Sequence, residues 1–436
     1  MRNALALALA AALLILPAPS AAQQRKNPAE PPRADTSQPP PAKLTLDDAI
    51  RMALDHNHAL LAARSTILQN QAQEITANLR PNPTLSWDTQ FFPLFQPSQF
   101  SLDYLDNQAQ FDIGIGYLFE RGKKRQHRLQ AARDATSVTR AQVSDSERTL
   151  VFNVASQFIS ALLAESTLEL AQQDYDSFQN TVQISESRLK AGDISQGDLL
   201  KIKLQLLQFQ TDVLNAKVAK VQALAGLRQL LGFESVPDNY EVSGELVYRP
   251  VKENLDGLKA LALQNRPDLK AAHLGVTAAQ SQAALAVANG KRDLSASFNY
   301  THTAGVNSGA FFFNIDLPIF DRNQGEIART RYAVSQAEEL QTETAQQVLT
   351  DVTDAYANLH TNDEVVQLYQ SGYVDMATES RDISRYSYEH GVASLLDYLD
   401  AERTYRASQL AYRQALANYM TALEQMREAV GTRNLP

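Results

Sequence analysis

The sequence predicts a mainly α-helical protein with a transmembrane β-barrel part, built as two tandem repeats of strands and long helices. Three observations lead to this prediction. Long stretches contain none of the residues that end helices, shorter stretches alternate apolar and polar residues, and one turn pattern occurs twice. The paired residues of that pattern, each pair 199 positions apart, are Gly192 and Gly391, Ser195 and Ser394, and Asp198 and Asp397.

The N-terminus has the three regions of a secretory signal peptide. Arg2 precedes a short apolar run from Ala4 to Leu16, and Ser20-Ala21-Ala22 is a small-residue cleavage site. An uncleaved membrane anchor is the alternative, but the run is too short to span a bilayer. We therefore predict a signal peptide over residues 1–22. Residues 23–43 are rich in proline and polar side chains, so we expect a flexible tether there.

Composition excludes several kinds of site and partner. The chain has no cysteine, so it can form no disulfide, no thiolate metal site and no lipid-modified cysteine. The net charge is −9, and no basic block is large enough to indicate nucleic-acid binding. No segment after the signal peptide has about eighteen uninterrupted apolar residues, so a membrane crossing would have to use strands.

Residues 44–79 carry apolar side chains at three- and four-residue steps, which is typical of a helix with one buried face. The pattern stops at Pro81, and a matching pattern begins at Leu255. His56 and His58 could suggest a metal site, but no carboxylate or third histidine stands at ligand spacing. We interpret these histidines as polar residues at a bend in the helix and predict no metal site.

Four stretches then alternate apolar and polar residues at roughly nine to eleven residues each, the length of transmembrane strands. Their apolar faces are formed by Leu85, Trp87 and Phe91; Phe111, Ile113, Ile115 and Tyr117; Leu294, Ala296, Phe298 and Tyr300; and Phe311, Phe313, Ile315 and Leu317. A soluble sandwich would alternate in the same way. The aromatic residues on the apolar face and the signal peptide favour a membrane barrel, with outward loops at residues 92–110 and 302–309.

A long helical hairpin follows the strands in each half. Residues 126–190 contain no glycine or proline, and a helix of that length extends on the order of 100 Å. A return helix is predicted over residues 196–231, and the second half repeats the pair over 327–390 and 394–430, interrupted only by Gly372. In the last helix a heptad seam, which indicates packing between helices, is formed by Tyr398, Tyr405, Tyr412, Tyr419 and Met426.

The tips of these hairpins have the residues that end and begin helices. Gly192 and Gly391 suit the left-handed position after a helix. Ser195 with Asp198, and Ser394 with Asp397, have the spacing of capping boxes.

A basic cluster lies at the other end of the first hairpin, where contact with lipid headgroups is one interpretation and a solvated helix start is favoured. Its members are Arg121, Lys123, Lys124, Arg125 and Arg128.

This order of elements resembles the TolC family of outer-membrane efflux channels, over residues 44–431. The turn at residues 318–325 is similar to that of the family, and so is the second tip at Tyr388, Gly391, Asp397, Leu399 and Asp400. Within that turn, residues 320–325 resemble the family's heavy-metal, CzcC-like branch. The resemblance implies two outer-membrane efflux repeats, residues 44–243 and 244–436. It also implies a homotrimer in which a 12-stranded barrel in outer-membrane lipid continues into a periplasmic helical tunnel.

The resemblance further implies roles for the tips. Asp397 and Asp400 would constrict the periplasmic entrance, and Tyr388 would hydrogen bond to Asp198. Helix capping is the alternative role for Asp198 and Asp397. Ala393 stands where family members can carry an arginine, so a closing salt bridge from that position is not expected. The tip turns, which would dock a periplasmic adaptor, are formed by Gly192, Ser195, Gly391 and Ser394.

The predicted function is the outer-membrane exit duct of a tripartite efflux pump that includes a periplasmic adaptor (membrane fusion) protein and an inner-membrane RND-type pump. A periplasmic coiled-coil adaptor without a pore is the alternative. The motifs of common enzymes, such as a nucleophile elbow, a zinc-protease helix or a phosphate-binding loop, are absent from the sequence. We expect no enzymatic activity and no cofactor. A metal ion, a drug or a secreted protein would each be compatible as cargo.

Overall fold

The computed structural model describes residues 42–251 and 254–434. The predicted signal peptide and nearly all of the predicted tether lie outside these ranges. The elements of the first half are β1 (Lys43–Leu44), α1 (Leu46–His56), α2 (His58–Asn78), β2 (Thr84–Gln90), α3 (Leu102–Asn107), β3 (Gln110–Phe119), α4 (Lys124–Ala191), α5 (Gln196–Leu231) and β4 (Glu241–Val242). Those of the second half are α6 (Leu255–Asn265), α7 (Pro267–Asn289), β5 (Leu294–Thr303), β6 (Val306–Ile315), α8 (Gln324–Leu368), α9 (Val374–Glu389) and α10 (Leu395–Val430).

The first predicted helix is divided at Asn57. This residue ends α1 and caps α2, because its side-chain oxygen accepts a hydrogen bond from the Leu60 amide at 3.0 Å. The side-chain Nδ2 of Asn57 donates to the Leu230 carbonyl at 2.9 Å, which ties the bend to the end of α5. His56 and His58 flank the division, so the predicted bend is confirmed.

The four longer strands form one antiparallel sheet in the order β2-β3-β5-β6. One row across the sheet aligns Leu85, Ile115, Phe298 and Phe311. Because side chains alternate between faces, this register places the predicted apolar residues of the strands on one face. That face is uncovered within the described chain, and Trp87, for example, is 76% exposed.

The loops of the sheet differ from the prediction. Strands β5 and β6 continue through most of residues 302–309, and only Ala304 and Gly305, both at positive φ, join them. The predicted loop there is therefore wrong, because the strands continue to a two-residue hairpin turn. The loop at residues 92–110 is present and contains α3. Helix α3 lies beside the β5–β6 turn, and the backbone amide of Gly305 donates a hydrogen bond to the Asp106 carbonyl at 2.9 Å.

The connector between the halves contains an element that the sequence analysis missed. Strand β4 pairs in parallel with β1, aligning Leu44 with Val242. Both side chains are buried in the core of the first half. Each strand has two residues, too few to show an alternating pattern.

Each hairpin packs around its own core. That of the first half includes Val154, Phe158 and Leu227, and that of the second includes Val352, Tyr419 and Met426. Part of α4 is long and apolar enough to match a membrane-crossing helix, but 44% of that stretch is buried within the protein. Burial against neighbouring helices accounts for its composition.

The outer helix of the second hairpin is interrupted. A π-helical segment, Tyr369–Tyr373, separates α8 from α9, and Gly372 has φ 114° within it. A side chain at that backbone angle would be strained, whereas glycine adopts it readily. The predicted interruption at Gly372 is therefore confirmed, and the outgoing helix consists of α8 and α9 joined at this glycine.

Candidate functional site

The first hairpin tip has the predicted capping geometry. Gly192 has φ 87° and follows α4, and the Asp193 amide donates to the Arg188 carbonyl at 2.9 Å. The Ser195 hydroxyl accepts from the Asp198 amide at 3.0 Å and donates to the Asp198 carboxylate at 2.8 Å. The hydrogen bond from Ser195 lowers the pKa of the Asp198 carboxyl group.

The second tip has the same arrangement and a complete capping box. Gly391 has φ 75°, and Ser394 caps α10. The Ser394 hydroxyl accepts from the Asp397 amide at 3.2 Å, and the Asp397 carboxylate accepts from the Ser394 amide at 3.3 Å. Asp397 is therefore fixed by capping, and its carboxylate remains exposed.

Asp400 lies one turn further along α10 and has a partner that the sequence analysis did not name. Its carboxylate accepts from Arg403 at 2.7 Å, and the two side chains are 62% and 81% exposed. The spacing of three residues on a helix could have revealed this pair. The pair brings a positive charge beside the carboxylates that were predicted to constrict the entrance.

A column of stacked rings joins the two hairpins just behind their tips. It runs from Tyr388 to Tyr398 to Phe178 to Phe209, with centroid separations of 5.4, 6.3 and 4.7 Å. These residues come from α9, α10, α4 and α5 in turn. Tyr388 is 4% exposed and Tyr398 1% exposed, so the column is a core that both hairpins share.

Arginines cover both ends of this ring column. The Arg188 guanidinium lies 5.1 Å from the Tyr388 ring centroid and donates to the Tyr388 carbonyl at 2.6 Å. At the other end, the Arg406 guanidinium lies 4.3 Å from the Phe209 ring centroid. Cations over ring faces are attracted to the negative π surface. Arg188 joins the first tip to the second, although Ala393 supplies no arginine from the second tip.

The predicted hydrogen bond between Tyr388 and Asp198 is not formed within the described chain. Tyr388 points towards α4, where its hydroxyl lies 3.5 Å from that of Ser185. Asp198 is occupied by Ser195 and lies 3.5 Å from Lys201. The tyrosine is buried on one side of the tip while the carboxylate caps a helix, so the two groups do not meet.

Buried charges lie beside the ring column. Arg406 bonds to Asp174 at 3.2 Å and also to Asp212, which links α10 to both helices of the first hairpin. Glu402 is 8% exposed. Burial, and then the nearby Asp174 carboxylate, raise the pKa of Glu402 above its ordinary value of 4.5. Burial also raises the pKa of Asp174, although Arg406 acts against it.

The Tyr398 hydroxyl within this core is kept neutral. Burial raises the pKa of Tyr398 to about 12, and its hydroxyl lies 3.3 Å from that of Thr181. Neutral hydroxyls can act as both donors and acceptors. This chemistry suits a contact that holds helices together, and it supplies no nucleophile or general base near neutral pH.

No group of three or more histidine, cysteine, aspartate or glutamate side chains in residues 42–251 and 254–434 could hold a metal ion.

The sequence analysis also missed Arg188 and Arg406. The only local signal for Arg188 is a basic residue in the last turn of a helix, which favours the helix dipole. Its contact with the second tip is visible only in the folded chain.

Comparison with known proteins gives a consistent result. A sequence model of the family described as "Outer membrane efflux protein" matches residues 49–233 and 258–432. The chain is 27% identical over 382 residues to the "Cobalt-zinc-cadmium resistance protein CzcC" of Cupriavidus metallidurans, covering 85% of each chain. It is 26% identical over 274 residues to the "Cation efflux system protein CusC" of Escherichia coli K12, covering 58% of each.

The fold is also similar to a solved structure. The crystal structure of the open state of the Neisseria gonorrhoeae MtrE outer membrane channel aligns with a TM-score of 0.74 at 20% identity. The alignment covers 95% of this chain and 97% of that one. The strands and long helices described here therefore have the architecture of an outer-membrane channel protomer.

Proposed function

Because the chain belongs to the outer membrane efflux protein family, we propose that it is the outer-membrane channel of a tripartite efflux system, assembled from three copies. The strands of the three copies would close one barrel, and the long helices would form a tunnel in the periplasm. Cargo would enter between the hairpin tips and leave through the barrel.

The two edges of the four-stranded sheet are the main support for this proposal. Strands β2 and β6 are its edges, and each pairs with one strand of the described chain. A bilayer does not tolerate open sheet edges, because their amide and carbonyl groups would lack partners. Pairing β6 of one copy with β2 of the next satisfies both edges. Three copies give a barrel of twelve strands, an even number within the range known for outer-membrane barrels.

The helices support the same assembly. A stripe along α5, with every member more than half exposed, is formed by Leu200, Leu204, Leu207, Leu214, Val218 and Val221. Its three- and four-residue spacing is that of a helix–helix seam. A second exposed apolar set lies at the far side of the other hairpin, at Leu368, Tyr373, Met376, Ile383 and Tyr386. The sheet and the helical layer thus end in unpartnered surfaces that a ring of copies would bury.

The tips fit a docking role for a periplasmic adaptor. A Cβ atom added at Gly192 would meet nothing within 4 Å, so this turn is open to a partner. Beside Gly391, Val392 is 83% exposed and Leu396 is 75% exposed. Exposed apolar residues next to capped turns offer a surface for another helical hairpin.

The entrance would lie between the second tips of the three copies. In this assembly Asp397 and Asp400 supply carboxylates near the axis, and Arg403 partly neutralises Asp400. Carboxylate rings favour cations in a pore. We propose a divalent heavy-metal cation as the cargo class, because the relative CzcC is a cobalt-zinc-cadmium resistance protein and the relative CusC is a cation efflux system protein. The described residues offer no metal-holding cluster, so the cation would pass without a resident site.

Reconstitution tests the proposal. The purified full chain should run as a heat-modifiable trimer that requires detergent, and it should produce discrete conductance steps in planar bilayers. A monomer that is soluble without detergent and gives no conductance would instead favour the periplasmic adaptor. For cargo, loss of the gene should reduce host growth in zinc or cobalt salts, and unchanged metal sensitivity would overturn the assignment of the cargo.

A further inference from the structure

A set of unpaired cations lies at the end of the sheet from which the long helices leave. We name Arg121, Lys123 and Lys291 the junction patch. All three are exposed, and none of them forms an ion pair with any residue in 42–251 or 254–434. The stem of Lys291 lies against the turn at Gly122, where an added Cβ would approach its Cδ to 2.6 Å. The three cations therefore share one small surface.

The frame beneath the junction patch is rigid. Asp293 accepts from the Arg121 amide at 2.9 Å and from the Lys124 ammonium at 2.7 Å. These bonds fasten the β3–α4 turn to the start of β5. Arg128 bonds to Glu120 at 2.7 Å and to the Ala77 carbonyl at 3.1 Å. The side chains of Lys124 and Arg128 thus hold the turn, the strand and the helix together at this junction. The side chains of the junction patch take no part in these bonds.

The junction patch adjoins the apolar face of the sheet. The last row of that face aligns Phe119, Leu294 and Ile315. Arg121 follows Phe119 by two positions and Lys291 precedes Leu294 by three. The apolar surface therefore ends directly beside a cationic one.

Further apolar side chains lie at the same end of the sheet. In the turn after β6, Leu317 is 74% exposed, Ile319 62% and Phe320 88%. An apolar band bordered by cations and an aromatic residue is typical of a surface at the boundary between acyl chains and headgroups.

We propose that the junction patch binds the headgroup of an anionic phospholipid in the periplasmic leaflet, with its acyl chains along the apolar face. The guanidinium of Arg121 can bond two phosphate oxygens at once, and the lysines add point charges. A zwitterionic headgroup carries its own cation beside the phosphate, so it gains less from the patch. The proposal rests on the barrel proposed above, which sets the sheet in the membrane.

Native mass spectrometry of the detergent-purified protein, with equimolar phosphatidylglycerol and phosphatidylethanolamine, tests the proposal. The test variant combines Arg121→Gln, Lys123→Asn and Lys291→Gln. Asparagine is used at position 123 because the backbone there has φ 59°, which asparagine tolerates. The matched control removes the same charges from exposed residues elsewhere, as Arg140→Gln, Lys190→Gln and Lys270→Gln.

The wild type and the control should retain phosphatidylglycerol in preference to phosphatidylethanolamine. In the test variant, the preference for phosphatidylglycerol should fall by about fivefold for each charge removed. In the wild type, added salt should weaken the same preference. Equal preference in the wild type and the test variant would overturn the proposal, as would its loss in the control.

Conductance in bilayers of neutral lipid separates this proposal from the proposed function. The wild type and the test variant should conduct equally there. If the wild type conducts but shows no lipid preference, only the proposal of lipid binding at the junction patch is overturned. Failure of both proteins to conduct counts against the channel itself.

Discussion

At the scale of single residues, Arg188 determines how firmly one tip holds the other. Arg188→Ala removes the bond to the Tyr388 carbonyl and the cation over its ring. Hydrogen bonds to charged groups contribute about 1.5–3 kcal/mol and exposed cation–ring contacts about 0.5–1 kcal/mol. We expect more frequent opening in planar-bilayer recordings. Arg329→Ala breaks only an exposed pair with Glu326 near the start of α8 and is the control for opening frequency, and equal opening by both variants would contradict the role of Arg188.

Glu402 should make the tips sensitive to pH. Its pKa is raised in the folded protein by burial and then by Asp174, so folding favours its protonated form. The stabilisation is complete below the ordinary pKa of 4.5 and is lost as pH rises through the folded pKa. Glu402→Gln should therefore raise the thermal stability at pH 7 and flatten its decline above pH 4.5. Differential scanning calorimetry measures the thermal stability at pH 7 and its change with pH. If the pH profile of Glu402→Gln equals that of the wild type, Glu402 is not the pH-sensitive group.

Arg403 should limit the cation selectivity that we propose for Asp397 and Asp400. Arg403→Gln leaves Asp400 without its paired positive charge, so selectivity for cations should increase. Asp397→Asn with Asp400→Asn should reduce it, together with block by multivalent cations from the periplasmic side. Reversal potentials in asymmetric salt measure the effect. Unchanged values in both variants would assign these aspartates to helix capping alone.

The local chemistry of the site could be read from the sequence, and its tertiary contacts could not. Gly192 and Gly391 were predictable because a helix end needs a particular backbone angle. The caps at Ser195 and Ser394 depend on residues three positions away. The contact of Arg188 with Tyr388 joins residues 200 positions apart, and no spacing rule connects them.

At the scale of elements, the two faces of the sheet should respond differently to charge. Phe313→Asp places a carboxylate on the apolar face and should cost on the order of 1–4 kcal/mol, depending on depth in the bilayer. Ser297→Asp lies on the opposite face, towards the proposed lumen, and is the control. The yield of folded, heat-modifiable channel measures the difference. Equal losses in the two variants would be incompatible with a lipid-facing Phe313.

Element prediction succeeded where a pattern is long and failed where it is short. Helix α4 follows from a long stretch without glycine or proline, and the glycine and serine at the first tip mark the end of α4 and the start of α5. The β5–β6 turn was missed because Ala304 occupies one of two left-handed positions, where glycine or asparagine usually signals a hairpin. Strands β1 and β4 pair across almost the whole first half, so only tertiary structure reveals them.

At the scale of the whole molecule, the α5 stripe should control assembly. Leu207→Asp with Leu214→Asp would bury two unpaired charges between copies, at about 3–5 kcal/mol for each charge. Trimers should dissociate, as measured by light scattering in detergent, while each chain keeps its helical circular dichroism. Asn215→Asp adds a charge beside the stripe and should leave the trimer intact. Intact trimers in the double variant would exclude this stripe from the interface.

The glycine between α8 and α9 has a mechanical consequence. Helix α4 is an unbroken rod, so torsion applied at the first tip is transmitted along its length. Gly372 has no side chain to restrain it and lies outside helical geometry, so torsion from the second tip is absorbed there. Along the outer helix of the proposed channel, opening would then deform only the sixteen residues of α9, whereas α10 is continuous from the second tip to Val430 and would move as one rod. The glycine would thus reduce the torsion that α8 carries from the second tip to the proposed barrel when the proposed entrance opens.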